Sequence, residues 1–115
     1  MSMDLAFWRY KIGETSDNQK VYEQICEGNE LDCIEQLPIE KIREKIAVVF
    51  KDWTALDADT YTRNEEADFR IFTTNQAVIF NCGGMSGDEM NLLIDIMLGF
   101  GCALYDPQIS TRFDT

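Results

Sequence analysis

The stretch FRIFTTNQAVIFNC, Phe69–Cys82, decides the architecture. FRIFTT and AVIFNC are both rich in aromatic and β-branched residues, and they are parted by the polar pair Asn75 and Gln76. Two such runs around a short polar pair predict a β-hairpin. Asn-Gln is not the strongest turn pair, so a longer loop stays open as the alternative.

Downstream, GGMSGDEMNLLIDIMLGFG predicts a helix. Ser86 and Glu89 have capping-box spacing, Met85 and Met90 occupy the staple positions, and Asp88 and Glu89 favour the positive end of the helix dipole. Asp88, Asn91 and Asp95 form one polar stripe, which predicts a mostly buried helix ending at Gly99 or Gly101. A turn at Asp106 and Pro107 then leads into a final strand, QISTRF. Alternation puts Ile109, Thr111 and Phe113 on one face of it and Ser110, Arg112 and Asp114 on the other, with Arg112 as a local charge partner of Asp106 and Asp114.

Upstream, the acidic stretch Asp57–Asp68 predicts a loop with an edge strand at Thr60–Arg63. Before it, Ile39, Ile42, Ile46, Val49, Phe50 and Trp53 recur at helical spacing behind Pro38. TSDNQKVYEQICEG predicts another helix, with Ser16 and Gln19 as its capping box and Gly28 as its stop. DLAFWRY, Asp4–Tyr10, predicts the first strand. The order β, α, α, β, β, α, β suggests an α+β fold, a ferredoxin-like βαββαβ sandwich with an extra helix after the first. Its four-stranded antiparallel sheet would carry the helices on one face.

The 115 residues fit a single domain, 1–115, and a hydrophobic share of 45% with seven Phe, four Tyr and two Trp supplies a packed core. The most apolar stretch, LLIDIMLGFGCAL, is broken by Asp95 and too short to span a bilayer. The start MSMDLAFWRY lacks the basic and apolar regions of a signal peptide, so a cytoplasmic location is expected. Cys26, Cys33, Cys82 and Cys102 form no C-x-x-C pair and sit among apolar neighbours, so buried reduced thiols are expected, with no metal and no cofactor.

Charge is the strongest compositional signal. Ten Lys and Arg against twenty-one Asp and Glu leave a net charge of −11. Val21–Glu40 holds six acids and no base, Asp52–Asp68 holds six acids and only Arg63 as a base, and Ile71–Thr111 holds no base. Such a field repels nucleic acid and anionic membranes and steers basic partners, although solubility alone also explains it.

Catalytic readings find little footing in the residues. Asp57 with Asp59, and Glu65 with Glu66, are nominal acid–base pairs in a solvated loop. Asp57-Ala58-Asp59 lacks the remaining ligands of a calcium loop. NCGGMSG fits no phosphate-binding fingerprint and is better read as helix capping. Ser86 or Cys82 as a nucleophile would need a base, and the chain has no histidine. Arg9 and Lys11 after the first strand are weak grounds for a phosphate site. The expectation is a non-enzyme that recognises protein, with Trp8, Tyr10, Trp53, Tyr61 and Tyr105 as contact aromatics wherever they are not core. The expected partner-binding residues are Asp57, Asp59, Tyr61, Glu65, Glu66 and Asp68, with Tyr105, Asp106 and Arg112 as a further group.

AFWRYKIG, QLPIEKI, FTTNQAVIFNCGGM and LYDPQISTRFD together resemble a group of small acidic bacterial proteins encoded beside toxins. These are similar to the immunity proteins of contact-dependent growth inhibition and other polymorphic toxin systems. The resemblance implies a protein that binds and inactivates one cognate basic toxin domain, commonly a nuclease, as a monomer or weak dimer when free, with no nucleic acid or membrane as partner. The contrasting expectation is a regulatory or scaffold domain that self-associates through a sheet edge. An enzyme of unrecognised type is the third.

Overall fold

The computed structural model describes residues 2–113. Its elements are β1 (Ser2–Trp8), α1 (Asn18–Cys26), α2 (Ile39–Val49), β2 (Thr54–Ala55), β3 (Thr60–Arg63), β4 (Ala67–Thr73), β5 (Ala77–Gly83), α3 (Gly87–Gly99), β6 (Ala103–Asp106) and β7 (Thr111–Phe113). The strands form one antiparallel sheet in the order β2-β3-β4-β5-β1-β6-β7. This overturns the expected four-stranded ferredoxin-like sheet. The chain is α+β, but seven strands share the sheet and helices pack on both faces.

The hairpin forms with the short loop. Thr73 pairs with Val78, and the Thr74 amide donates to the Ala77 carbonyl at 3.0 Å, so Asn75 and Gln76 alone turn the chain. Gln76 is at the turn for a tertiary reason. Its buried side chain accepts from the Leu31 amide and donates to the carbonyls of Leu31 and Ile34, pinning the segment after α1 to the sheet.

The two faces explain the strand patterns. On one, Ile42 and Ile46 of α2 and Leu93, Ile96 and Met97 of α3 pack on Leu5, Phe7, Phe69, Ile71, Val78, Phe80 and Cys82. On the other, Val21 and Ile25 of α1, with Ile34, pack on Ala6, Trp8, Ala77, Ile79 and Tyr105. The central strands β1 and β5 are covered on both sides and therefore read as unbroken apolar runs, Leu5–Trp8 and Ala77–Phe80. β4 alternates, with Ala67, Phe69 and Ile71 buried and Asp68, Arg70 and Phe72 exposed, because α1 does not reach it.

Several local expectations shift. The first helix is capped by Asp17, whose carboxylate accepts from the Gln19 and Lys20 amides, and not by Ser16. α2 ends at Val49, leaving Trp53 in the turn beyond it. Gly28 and Gly101 do close their helices: each has a φ near +80°, and the bonds Asn29 to Gln24 and Cys102 to Met97 complete the helix stop. The polar stripe of α3 does not leave it mostly buried, since Leu92 and Leu98 are exposed as well. Between the glycine stop and the turn expected at Asp106 and Pro107, where the sequence predicts no element, the chain forms strand β6, which takes in Asp106 itself. The final strand covers Thr111–Phe113 alone, Gln108–Ser110 being in the turn before it.

The capping box at Ser86 forms as expected, with the Glu89 amide donating to the Ser86 hydroxyl and the Ser86 amide to the Glu89 carboxylate. Glu89 does a second job. It accepts from Arg63 of β3 at 2.7 Å, and that guanidinium also lies 5.7 Å from the Trp53 ring centre. Arg63 and the Ser86 amide hold the Glu89 carboxyl below the ordinary glutamate range. A lowered folded-state pKa means stability that is complete above the unfolded value of about 4.3 and is lost as pH falls through the folded one. Glu89→Gln is expected to reduce stability at pH 7 by about 1 kcal/mol, discounted because Arg63 is partly solvated. It should also flatten the acid limb of stability against pH, which urea titrations from pH 7 to pH 3 measure.

Candidate partner-binding surface

The expected binding residues fall into two groups at opposite sides of the sheet. From β3 to β6 there are four strand steps and from Asp68 on β4 three, so at about 4.8 Å per strand roughly 14 to 19 Å separates the groups. They do not form one patch.

The second group is structural. Tyr105 is fully buried against Trp8 and Tyr22, and its hydroxyl donates to Gln19. Asp106 is buried too, its carboxylate accepting from the Gln108 amide and side chain. Arg112 pairs in register with Tyr105 and so lies on the face opposite Asp106. Its guanidinium is 4.8 Å from the Tyr10 ring centre and 5.8 Å from that of Trp8, and it donates to the Trp8 carbonyl at 3.2 Å. The expected salt link from Arg112 to Asp106 is therefore corrected, while Asp114 lies outside the described residues. The aromatic ring at position 8 and the strand pairing of β6 with β7 were the missing signals.

The first group surrounds the outer strands. Asp57 and Asp59 lie in the β2–β3 connection, Glu65 and Glu66 in the tight β3–β4 turn, and Asp68 on β4, all exposed. The strand expected at Thr60–Arg63 forms as β3, between two short turns that hold the acids, and β2 lies outside it, so β3 is not the edge of the sheet. The φ angles of Asn64 and Glu65, +53° and +60°, mark the second turn as tight. Tyr61 turns away from this set: it is half-buried and stacks on Phe69 with ring centres 5.1 Å apart. Trp53 packs on the same ring, and Trp8 is fully buried, so Trp8, Trp53 and Tyr61 serve the core.

Two cations moderate the acids. Arg43 of α2 binds Asp59 at 2.9 Å, and Arg63 binds Glu66 at 3.3 Å besides Glu89. The Asp57 carboxyl is held below the aspartate range chiefly by the Asp59 amide, with help from Thr60 and Arg70. Arg9, weighed above as a phosphate ligand, pairs with Glu35 and donates to the Phe100 carbonyl at 2.7 Å. The glycines of NCGGMSG serve the same corner. A Cβ on Gly84 would stand 2.2 Å from the Glu66 carbonyl oxygen, so that glycine lets the β3–β4 turn pass close by.

The thiols divide. Burial pushes Cys82 up to about 12 and Cys102 up to about 11, whereas Cys26 is exposed and Cys33 half-buried, against the expectation of four buried thiols. All four are free.

Among the described residues no helix is long and apolar enough to cross a membrane. Compared with protein-family models and with curated proteins, the chain matches none of them.

Proposed function

We propose that the chain is an immunity protein that binds a cognate basic toxin domain, a nuclease, in the cytoplasm of the producing cell and neutralises it by occupancy, without catalysis. The observation that carries this reading is the distribution of charge. Exposed acids gather around the outer strands, at Asp57, Glu65, Glu66 and Asp68, and around the end of α1, at Glu23, Glu27, Glu30 and Asp32. A nuclease cleft is built to hold phosphates, and carboxylates on the turns and helix end around the sheet compete for the same cations. The opening of the toxin's cleft would be blocked and its substrate repelled.

Self-association through a sheet edge is the weaker reading. The two edge strands, β2 and β7, have two and three residues, which offers an incoming strand few backbone partners.

The test is growth of a host that expresses the toxin domain encoded beside this chain, with and without the protein. Rescue supports the reading, and killing that persists in its presence rejects that pairing. A triple reversal, Asp57→Lys with Glu65→Lys and Asp68→Lys, is expected to slow association about tenfold at low salt and to leave dissociation nearly unchanged. Stopped-flow mixing at two ionic strengths reads this directly, and an unaltered rate would assign capture to another surface.

A further inference from the structure

Half of one sheet face is uncovered. α1 closes that face over β1, β5 and β6, but on β4 the side chains of Asp68, Arg70 and Phe72 point into solvent, and Phe72 keeps 44% of its surface exposed. Beside Phe72 runs a groove walled by Gly28, Asn29 and Glu30 on the α1 side and by Thr74 and Asn75 on the hairpin side. A second hollow lies farther along β4, over Asp68, Arg70 and Asn81. An aromatic ring set in a polar sheet face between two hollows is apolar surface that the fold itself does not cover.

Charge selects the occupant. Glu30 stands at one end of this strip and Asp68 at the other, while Arg70 lies between Asp68 and Phe72. Asp68 and Phe72 are four residues apart on the strand, about 14 Å at roughly 3.4 Å per residue. A chain lying along the strip in extended form points alternate side chains at it, at about the same spacing.

We infer that the open half-face along β4 receives an extended segment of a basic protein partner. The segment seats an apolar side chain on Phe72, places a Lys or Arg against Asp68 and another against Glu30, and offers a carboxylate or other acceptor to Arg70. The inference rests on the toxin-binding reading for its partner, but the pattern follows from the strip itself. Phe72 supplies the desolvated anchor, and the charges around it set register and direction.

The probe is the peptide Arg-Thr-Asp-Thr-Leu-Thr-Arg, acetylated and amidated, titrated into the isotope-labelled full chain and followed by amide shifts. Its scramble, Leu-Arg-Thr-Thr-Arg-Thr-Asp, has the same charge and composition. Shifts expected for the first peptide centre on residues 28–30 and 68–76, with saturation at least about fivefold tighter than for the scramble. Phe72→Ser is expected to abolish that preference, with a modest fall in Tm because over half of the ring is covered, and with the amide spectrum of the folded parent retained away from the strip. Equal binding of both peptides, or shifts spread over the acids of α2 and α3, would overturn the inference. Growth rescue separates the two claims. If the parent chain rescues and Phe72→Ser rescues equally at limiting expression, the strip is wrong and the immunity reading stands. If the parent fails to rescue while the peptide preference holds, the strip stands and the pairing with that toxin falls.

Discussion

Phe69→Ala is expected to lower the free energy of unfolding by about 4 kcal/mol. Phe69 is fully buried at the centre of an aromatic group, with the ring centres of Phe50 at 4.8 Å, Tyr61 at 5.1 Å, Trp53 at 5.6 Å and Phe80 at 6.0 Å. Removing it takes away its own transfer free energy and leaves a cavity walled by rings from the turn after α2 and from strands β3 and β5. Those walls are held by separate elements, so they cannot collapse together. Favourable edge contacts add roughly 0.5–1.5 kcal/mol per pair to the loss. In urea the midpoint should fall sharply at unchanged slope. A loss under about 1.5 kcal/mol would mean that the site relaxes and that the packing around Phe69 is looser than described.

Gln76→Ala comes next, at about 3 kcal/mol. The Gln76 side chain satisfies three backbone groups of the segment behind α1: the Leu31 amide at 2.9 Å, the Leu31 carbonyl at 2.7 Å and the Ile34 carbonyl at 3.0 Å. Each group left without a partner costs about 1–3 kcal/mol where water cannot reach it, and less at the half-exposed Leu31. Gln76→Glu should be no milder, because it keeps one acceptor, loses both donations and places a carboxylate in a buried position. Thermal unfolding of the two variants is the measurement, with a fall of about 10 °C expected for alanine. Amide exchange should also rise selectively at residues 31–37. A variant with parental melting and exchange would remove Gln76 from any part in holding that segment.

Gln76 shows how far the sequence could be read. Its neighbourhood was legible as a hairpin, since the flanking runs carry the pattern of strands. The preference for Gln over a stronger turn former was not, because its reason lies 42–45 positions away along the chain. The same division runs through the candidate surface. Asp57, Glu65, Glu66 and Asp68 are exposed, as their charge alone leads one to expect. Tyr61, Tyr105, Asp106 and Arg112 instead pack against fold neighbours, because a polar tip on an aromatic or charged residue does not say whether the fold already satisfies it. Phe72 was passed over for the opposite reason. It sits in an apolar-looking run, and only the alternation through Asp68 and Arg70 hinted that it faces outward.

Local chemistry is what the sequence determined by itself. It set the α+β class, the Asn75–Gln76 hairpin, the Ser86–Glu89 cap and glycine stops at Gly28 and at Gly99 or Gly101, because each depends on residues within a few positions of one another. Tertiary structure decided the number of strands and the side on which each helix lies. β2, β6 and β7 have two to four residues each and too little pattern of their own, and they exist because a neighbouring strand offers hydrogen bonds. The position of α1 on the face opposite α2 and α3 likewise follows from which apolar surfaces meet: Trp8 and Tyr105 on one side of the sheet, Phe69 and Phe80 on the other. That placement leaves β4 bare along Asp68, Arg70 and Phe72, since one short helix covers only the strands nearest to it.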